Sequence, residues 1–321
     1  MYAIRFATTG GPDVLETVDI TLAAPGPGEV LLRQTAVGLN FIDTYHRSGL
    51  YPMALPSGLG LEAAGVVEAV GPGVTLTPGT RVGYCWGPIG AYASHRLIAA
   101  DGVVVLPDGV SDEVAAAVLL KGCTTEFLIE RCAKVQPGQW VLVPAAAGGV
   151  GQLLVQWLKH IGAHVIAVAG SPEKLALAMA HGADHGLVQD ETMAKQVRAL
   201  TDGRGVDVVL DGVGKATFEM GLDCLVRRGL MVSFGNASGA VGQVDFSILA
   251  RKGSLFATRA TMFDYYVGRD DIETYGGRVL DMLGSGALKV NVDQRYALKD
   301  AAEAHRDLEG RRTTGSTVLV S

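Results

Sequence analysis

The sequence predicts an α/β protein in two parts, a β-rich barrel-like unit followed by a doubly wound parallel sheet. Three observations carry this reading. Residues 1–123 break into short apolar runs separated by Gly-Pro and Pro-Gly turns. After Cys123, apolar runs alternate with helical segments, the pattern of a parallel sheet. Within that second region, "VLVPAAAGGVGQLLVQW" (141–157) passes from strand through a small-residue turn into a helix.

The strands expected in the first region are 29–40, 62–74, 79–85 and 95–107. In the second region the expected order is strand 139–145, helix 151–163, strand 164–170 and helix 171–183. A short strand at 185–188, a helix at 192–203, a strand at 205–214, a helix at 217–229 and a strand at 229–235 follow. The tail has helical segments at 276–288 and 298–310 and a strand at 316–320, and it is free to return to the first region. Right-handed crossovers would put all carboxyl ends of the parallel strands on one edge, where ligands bind.

Composition narrows the class of partner. The net charge of −6, without a Lys/Arg cluster, argues against nucleic acid. The longest fully apolar run, Val114–Leu120, is far short of the roughly 18–20 residues that cross a bilayer. The start, "MYAIRFATTGGPD", lacks a signal-peptide core, so the expectation is a cytoplasmic protein with no membrane contact. Cys85, Cys123, Cys132 and Cys224 form no CxxC pair and read as reduced thiols.

In the turn at 145–151, Ala146, Gly148 and Gly151 hold the three positions of the G-x-G-x-x-G spacing. The first makes the tight turn, a role open to alanine if its dihedrals stay ordinary. The second lets backbone approach a pyrophosphate, and the third lets helix and strand pack closely. Helix N–H groups then meet the anion. A plain packing turn has the same residues, but the surrounding βαβ unit favours a dinucleotide. At the end of the next strand an NAD site carries Asp or Glu. Here "VAGSPEK" (168–174) places Gly170 and Ser171 there, with Lys174 one turn into the helix. The missing acid favours NADPH, with Ser171 and Lys174 near the 2′-phosphate. The same residues also read as an N-cap, Pro172 at the first helical position, and a solvated lysine.

With these residues in hand, the chain resembles the medium-chain dehydrogenase/reductase superfamily, and within it the zeta-crystallin-like NADPH:quinone oxidoreductases. The resemblance runs nearly end to end, through "VGLNFIDTYHRSGLYP" (37–52), "LPSGLGLEAAGVV" (55–67), "AAAGGVG" (145–151), "GLDCLVRRGLMVSFGNASGA" (221–240) and "KGSLFATR" (252–259). It implies a GroES-like catalytic domain at 1–123, completed by 261–321, and a Rossmann NADPH-binding domain at 124–260. Zinc-dependent relatives take their catalytic ligands from a cysteine and a Gly-His-Glu histidine. Those positions are Asn40 and Leu61 here, neither a usual zinc ligand. The expectation is therefore a metal-free enzyme for electron-poor acceptors.

By resemblance, Asn40 and Tyr45 lie beside nicotinamide and substrate, as catalytic candidates, while Asp43 and Arg47 support their loop. Thr124, at the end of "LKGCT", falls near the nicotinamide; a helix cap is its other reading. Gly148, Gly149 and Val150 match the pyrophosphate loop, and Gly170, Ser171 and Lys174 the 2′-phosphate pocket. Asp211, Gly212 and Val213 follow a strand and can face the adenosine ribose. Phe234, Asn236 and Ser238 follow another, at the nicotinamide half. Phe256 and Thr258 fall at the cleft and on an edge strand that pairs two subunits, which implies a homodimer. Arg311 matches a basic residue near the phosphates, and a surface salt bridge serves it equally well. Relatives carry an "INY"-type tyrosine at the phosphate pocket; "GLVQD" (186–190) places Gln189 there, altering one wall.

The activity implied is NADPH-dependent reduction of quinones by electron or hydride transfer. Reduction of an activated alkene, such as an enone or a 2-haloacrylate, needs the same geometry and stays open. A non-catalytic, crystallin-like NADPH-binding protein is the alternative from another class.

Overall fold

The computed structural model describes every residue, Met1–Ser321. Its strands are β1 Tyr2–Phe6, β2 Glu16–Asp19, β3 Glu29–Leu39, β4 Ser57–Gly58, β5 Ala63–Val70, β6 Arg81–Tyr84, β7 His95–Ala99 and β8 Val104–Val105, followed by β9 Trp140–Val143, β10 His164–Ala169, β11 His185–Val188, β12 Val206–Asp211, β13 Leu225–Ser233, β14 Phe256–Arg259, β15 Val292–Ala297 and β16 Ser316–Val320. The helices are α1 Phe41–Ser48, α2 Asp112–Glu126, α3 Gly149–His160, α4 Pro172–Ala180, α5 Met193–Leu200, α6 Phe218–Cys224, α7 Ser247–Arg251, α8 Arg269–Asp271, α9 Gly277–Gly284 and α10 Ala301–Glu309. The chain divides into two compact units, Met1–Cys123 with Tyr266–Ser321, and Thr124–Tyr265.

The first unit is built on β3. Its early residues alternate buried and accessible, and from Ala36 to Leu39 both faces are buried. One side of β3 pairs antiparallel with β5; the other pairs first with β7, through Glu29–Arg33, and then with β16, through Ala36–Leu39. The whole sheet runs β15-β16-β3-β5-β6-β8, with a small sheet β2-β1-β4 beside it. Ile4, Phe6, Leu32, Leu59, Val67, Tyr84, Tyr92 and Leu319 belong to its core. Each buried large apolar side chain is worth about 1.5–3 kcal/mol.

The second unit is a six-stranded sheet in the order β11-β10-β9-β12-β13-β14, parallel throughout. The chain winds outward from β9 to β11, returns, and winds the other way through β12 to β14. The reversal lies between β9 and β12, so a crevice opens outside their carboxyl ends. The turns that border it are those after Val143 and after Asp211.

Four local expectations change. The segment 217–229 is helical only to Cys224, and β13 begins at Leu225. Leu225 pairs with Val206 and Leu230 with Val208, so 226–229 form a bulge in which Arg228 takes φ 61° and donates to Gly253 O. A segment this short, with charged residues among the apolar ones, fits either period, and sheet pairing decides it. The strand expected at 95–107 is split by a turn at Ala100–Gly102. Helix 276–288 starts earlier, with a π turn at Ile272–Gly276, and α9 ends at Gly284. Helix α2 was legible only as an apolar run, although Ser111 caps Val114 N at 3.2 Å and Asp112 and Glu113 fill its first turn.

Candidate functional site

In the first unit, β3 delivers Asn40 to the N-cap of α1, with extended backbone at φ −133° and ψ 154°. Asp43 Oδ2 accepts Asn40 N at 2.9 Å, and Asp43 N donates back to Asn40 O at 3.0 Å. The Asn40 side chain donates from Nδ2 to Glu62 Oε1 at 2.7 Å. Tyr45 lies one turn into α1, buried, with its ring edge-on to Tyr51 at 5.3 Å. Asn40 and Tyr45 are thus on one helix, five residues apart, and both nearly covered.

Asp43 is completely buried, and desolvation raises its carboxyl to about 7 against the hydrogen bonds from Asn40 N and Tyr92. Its Oδ1 has no partner. Arg47 is buried too, with Nη1 3.0 Å from His305 Nδ1, Nη2 on Glu309 Oε1 at 2.6 Å and Nε on Gly10 O at 3.1 Å. Its guanidinium ties α1 to α10. Burial and the Arg47 charge lower His305 to about 3. Glu62, Tyr92 and His305 were not picked out from the sequence. A single acid inside the apolar "GLGLEAAG" was the available signal, because a buried charge needs partners.

In the second unit, the turn after β9 is closed by Gly148 N on Ala145 O at 2.9 Å, and Ala146 N is tied to Val168 O at 3.0 Å. The left-handed residue is Ala145, at φ 52°, so Ala146 keeps an ordinary conformation. A Cβ on Gly151 would sit 2.3 Å from Ala145 O, and one on Gly148 3.2 Å from the same oxygen. Helix α3 starts at Gly149, and the first-turn N–H groups of Gly149, Val150 and Gly151 have no intrahelical acceptor. A cradle of bare glycine and outward N–H groups fits a pyrophosphate.

Next to it, Gly170 follows the last residue of β10, with open space where a Cβ would be. Ser171 caps α4, its Oγ accepting Lys174 N at 3.3 Å, with Pro172 at the first helical position. The N-cap reading of Ser171 is the one this geometry shows. The same hydroxyl is the main cause that lowers the exposed Glu173 carboxyl, which sets an anion beside Lys174. Gln189 is exposed just past β11, with its N on Ala169 O at 2.9 Å. Gly170, Ser171 and Gln189 thus sit just past neighbouring strand ends, with Lys174 in the first turn of α4.

Asp211 ends β12, but its carboxylate is buried: Oδ1 accepts Val213 N at 2.9 Å, Gly214 N at 3.3 Å and Thr217 Oγ1 at 2.8 Å. Its acid serves its own turn, and burial raises its pKa. That turn is laced to the one after β13. Ser238 Oγ donates to Val213 O at 2.8 Å and accepts Ala216 N at 2.9 Å, and Phe234 N reaches Asp211 O at 2.8 Å. A Cβ on Gly212 would meet the Phe234 ring at 2.9 Å. Asn236 lies in the same lacing, accepting Gly239 N at 2.8 Å. Val213, Phe234, Asn236 and Ser238 are therefore brought together.

Phe256 and Thr258 lie exposed on β14, the last strand of the sheet. Thr124 is inside α2 rather than at a cap, and it is the first residue of the second unit. Arg311, in the first unit, is exposed in the turn after α10 at φ 56°. Leu61 is buried, and no group of three or more His, Cys, Asp or Glu side chains is placed to hold a metal ion.

Two families match the chain: "Alcohol dehydrogenase GroES-like domain" over residues 26–108 and "Zinc-binding dehydrogenase" over 149–283. A quinone oxidoreductase of Pseudomonas aeruginosa is 49% identical, over 99% of this chain and 98% of the relative. A 2-haloacrylate reductase of a Burkholderia species is 41% identical over 97% of this chain and 96% of its own. The structure of an Escherichia coli quinone oxidoreductase complexed with NADPH superposes with a TM-score of 0.97, at 44% identity and over all of both chains. The chain belongs to the quinone-oxidoreductase-like branch of the medium-chain dehydrogenase/reductase superfamily.

Proposed function

We propose that this protein is an NADPH-dependent quinone oxidoreductase that works by electron or hydride transfer without a metal ion. The observation that carries the cofactor is the reversal-point turn at 145–151, with Gly148 and Gly149 side by side at the start of α3 and a next strand end that lacks an acid. Gly148, Gly149 and Val150 hold the pyrophosphate; Gly170, Ser171 and Lys174, with Gln189 alongside, hold the 2′-phosphate. Val213, Phe234, Asn236 and Ser238 line the path of the rest, beside the turn that Asp211 braces. Thr124, Phe256, Thr258 and Arg311 complete the cofactor-contacting set. Bound NADPH supplies the reducing equivalents.

Asn40 and Tyr45 are the residues assigned to meet the acceptor. With Asn40 and Leu61 where zinc relatives have ligands, no Lewis acid is available to stabilise an alkoxide. An acceptor that is already electron-poor needs only alignment, exclusion of water and hydrogen bonds to the oxygen that gains charge. A quinone meets that need. The likeness to a 2-haloacrylate reductase supports a second reading, reduction of an activated carbon–carbon double bond. We place the protein in the cytoplasm, as a homodimer through the exposed edge of β14, with the domains at 1–123 with 261–321 and at 124–260.

A spectrophotometric panel decides among these readings. NADPH oxidation is followed with 1,4-benzoquinone, an enone and 2-chloroacrylate. Fastest turnover with the quinone supports the proposal, and fastest turnover with 2-chloroacrylate supports the second reading. Tight NADPH binding with no turnover on any acceptor makes the protein a non-catalytic NADPH binder.

A further inference from the structure

Glu62 precedes β5 and is completely buried. Its Oε2 accepts Leu120 N at 2.7 Å; its Oε1 accepts Asn40 Nδ2 at 2.7 Å and faces Lys121 Nζ at 3.3 Å. Gly38 makes room for it, since a Cβ there would lie 2.2 Å from Glu62 Oε1. A buried ion pair of this kind contributes little net stability compared with an apolar replacement. Its geometry, however, settles the orientation of Asn40. A carboxylate has no proton to donate, so the amide must turn Nδ2 toward Glu62 and its carbonyl Oδ1 away. The backbone of the same residue is held by Asp43 Oδ2 at 2.9 Å.

We propose that Glu62 is a positioning residue that locks the Asn40 side-chain amide in one orientation, so that Asn40 presents its carbonyl oxygen as an acceptor to cofactor or substrate. This rests on the reading of Asn40 as a group that meets them. A fixed acceptor suits the N–H groups of a nicotinamide carboxamide, or the hydroxyl formed as a quinone is reduced. Glu62→Gln tests it with little change in shape. With its one oxygen kept by the backbone Leu120 N, the new NH2 turns toward Asn40 and Lys121, so the Lys121 contact is lost and Asn40 is driven to flip.

The first readout is the Asn40 side-chain amide resonance in cofactor-free protein, identified by its loss in Asn40→Ala. It is expected to move, and to lose protection from exchange, in Glu62→Gln. The second is kinetic, with NADPH and 1,4-benzoquinone. Glu62→Gln should lower kcat about tenfold to a hundredfold while KM for NADPH moves less than about threefold. In the Asn40→Ala background the same substitution should change kcat by less than about twofold. An equal loss in both backgrounds, or an unmoved Asn40 resonance, overturns the proposal. If wild type fails to turn over quinones, the functional reading falls and the resonance still decides the positioning role. Glu62→Asp, which keeps the charge but withdraws it from Asn40, should move the resonance in a chain that Glu62→Gln prevents from folding.

Discussion

Tyr92 donates its hydroxyl to Asp43 Oδ2 across 3.1 Å in the buried interior of the first unit. Behind it, His305 Nε2 lies 3.1 Å from the same hydroxyl, and Arg47 Nη1 lies 3.0 Å from His305 Nδ1. A guanidinium only donates, so Nδ1 accepts and Nε2 carries the proton. Every hydrogen bond then runs one way, from Arg47 through His305 and Tyr92 to Asp43.

This chain gives two opposing pH dependences. The folded pKa of Asp43, about 7, is above its unfolded value of about 3.9, so its contribution to stability is present at low pH and lost as pH rises between them. The folded pKa of His305, about 3, is below its unfolded value of about 6.5, so its contribution is present above 6.5 and lost as pH falls. Each has a limiting slope of about 1.4 kcal/mol per pH unit, with opposite sign. Relative to wild type, Asp43→Asn should gain Tm as pH rises from about 4 to 7. His305→Gln should lose relative Tm as pH rises from about 3 to 6.5. Melting curves followed by circular dichroism check both, and parallel curves for wild type and variants would contradict the assignment.

Lys174 and Glu173 flank the capped start of α4 with opposite charges. Lys174→Ala should raise KM for NADPH about tenfold and leave KM for NADH nearly unchanged, the size of a charge-assisted phosphate contact. Glu173→Gln should act oppositely, lowering KM for NADPH by about twofold, and the effect should fade at high salt. Steady-state kinetics with both cofactors measures this; equal effects on NADPH and NADH would make the lysine a solvated helix residue.

Ala145 holds φ 52° and is exposed. Ala145→Gly should therefore relieve strain and raise stability by up to about 1 kcal/mol without weakening cofactor binding. Gly151→Ala should do the reverse, because its Cβ would meet main-chain oxygen at 2.3 Å and push α3 away from the turn. Denaturant melts and NADPH fluorescence titration distinguish the two variants.

The parallel half was legible because its strands are buried runs at helix-length intervals, and even the short β11 falls at the expected 185–188. Turn chemistry also showed through: Ser171-Pro172 reads as a helix start and is one. What stayed hidden depends on contacts distant in sequence. Tyr92 and His305 are 213 residues apart in the chain, and neither has a local pattern that marks it. Glu62 stood out as an acid among apolar residues, but only the fold brings Asn40, Leu120 and Lys121 around it. Likewise "LVRRG" (225–229) has no periodicity strong enough to separate helix from strand, and the pairing of Leu225 and of Leu230–Ser233 with β12 on either side of it decides it.

We propose metal-free, NADPH-dependent quinone reduction as the activity of this protein. Its most direct test is the rate of NADPH oxidation with 1,4-benzoquinone by protein treated exhaustively with EDTA, measured beside NADH. The expected result is quinone-dependent oxidation that is undiminished by the chelator and faster with NADPH. Activity that disappears with EDTA and returns with zinc, or no quinone-dependent oxidation at all, would contradict it.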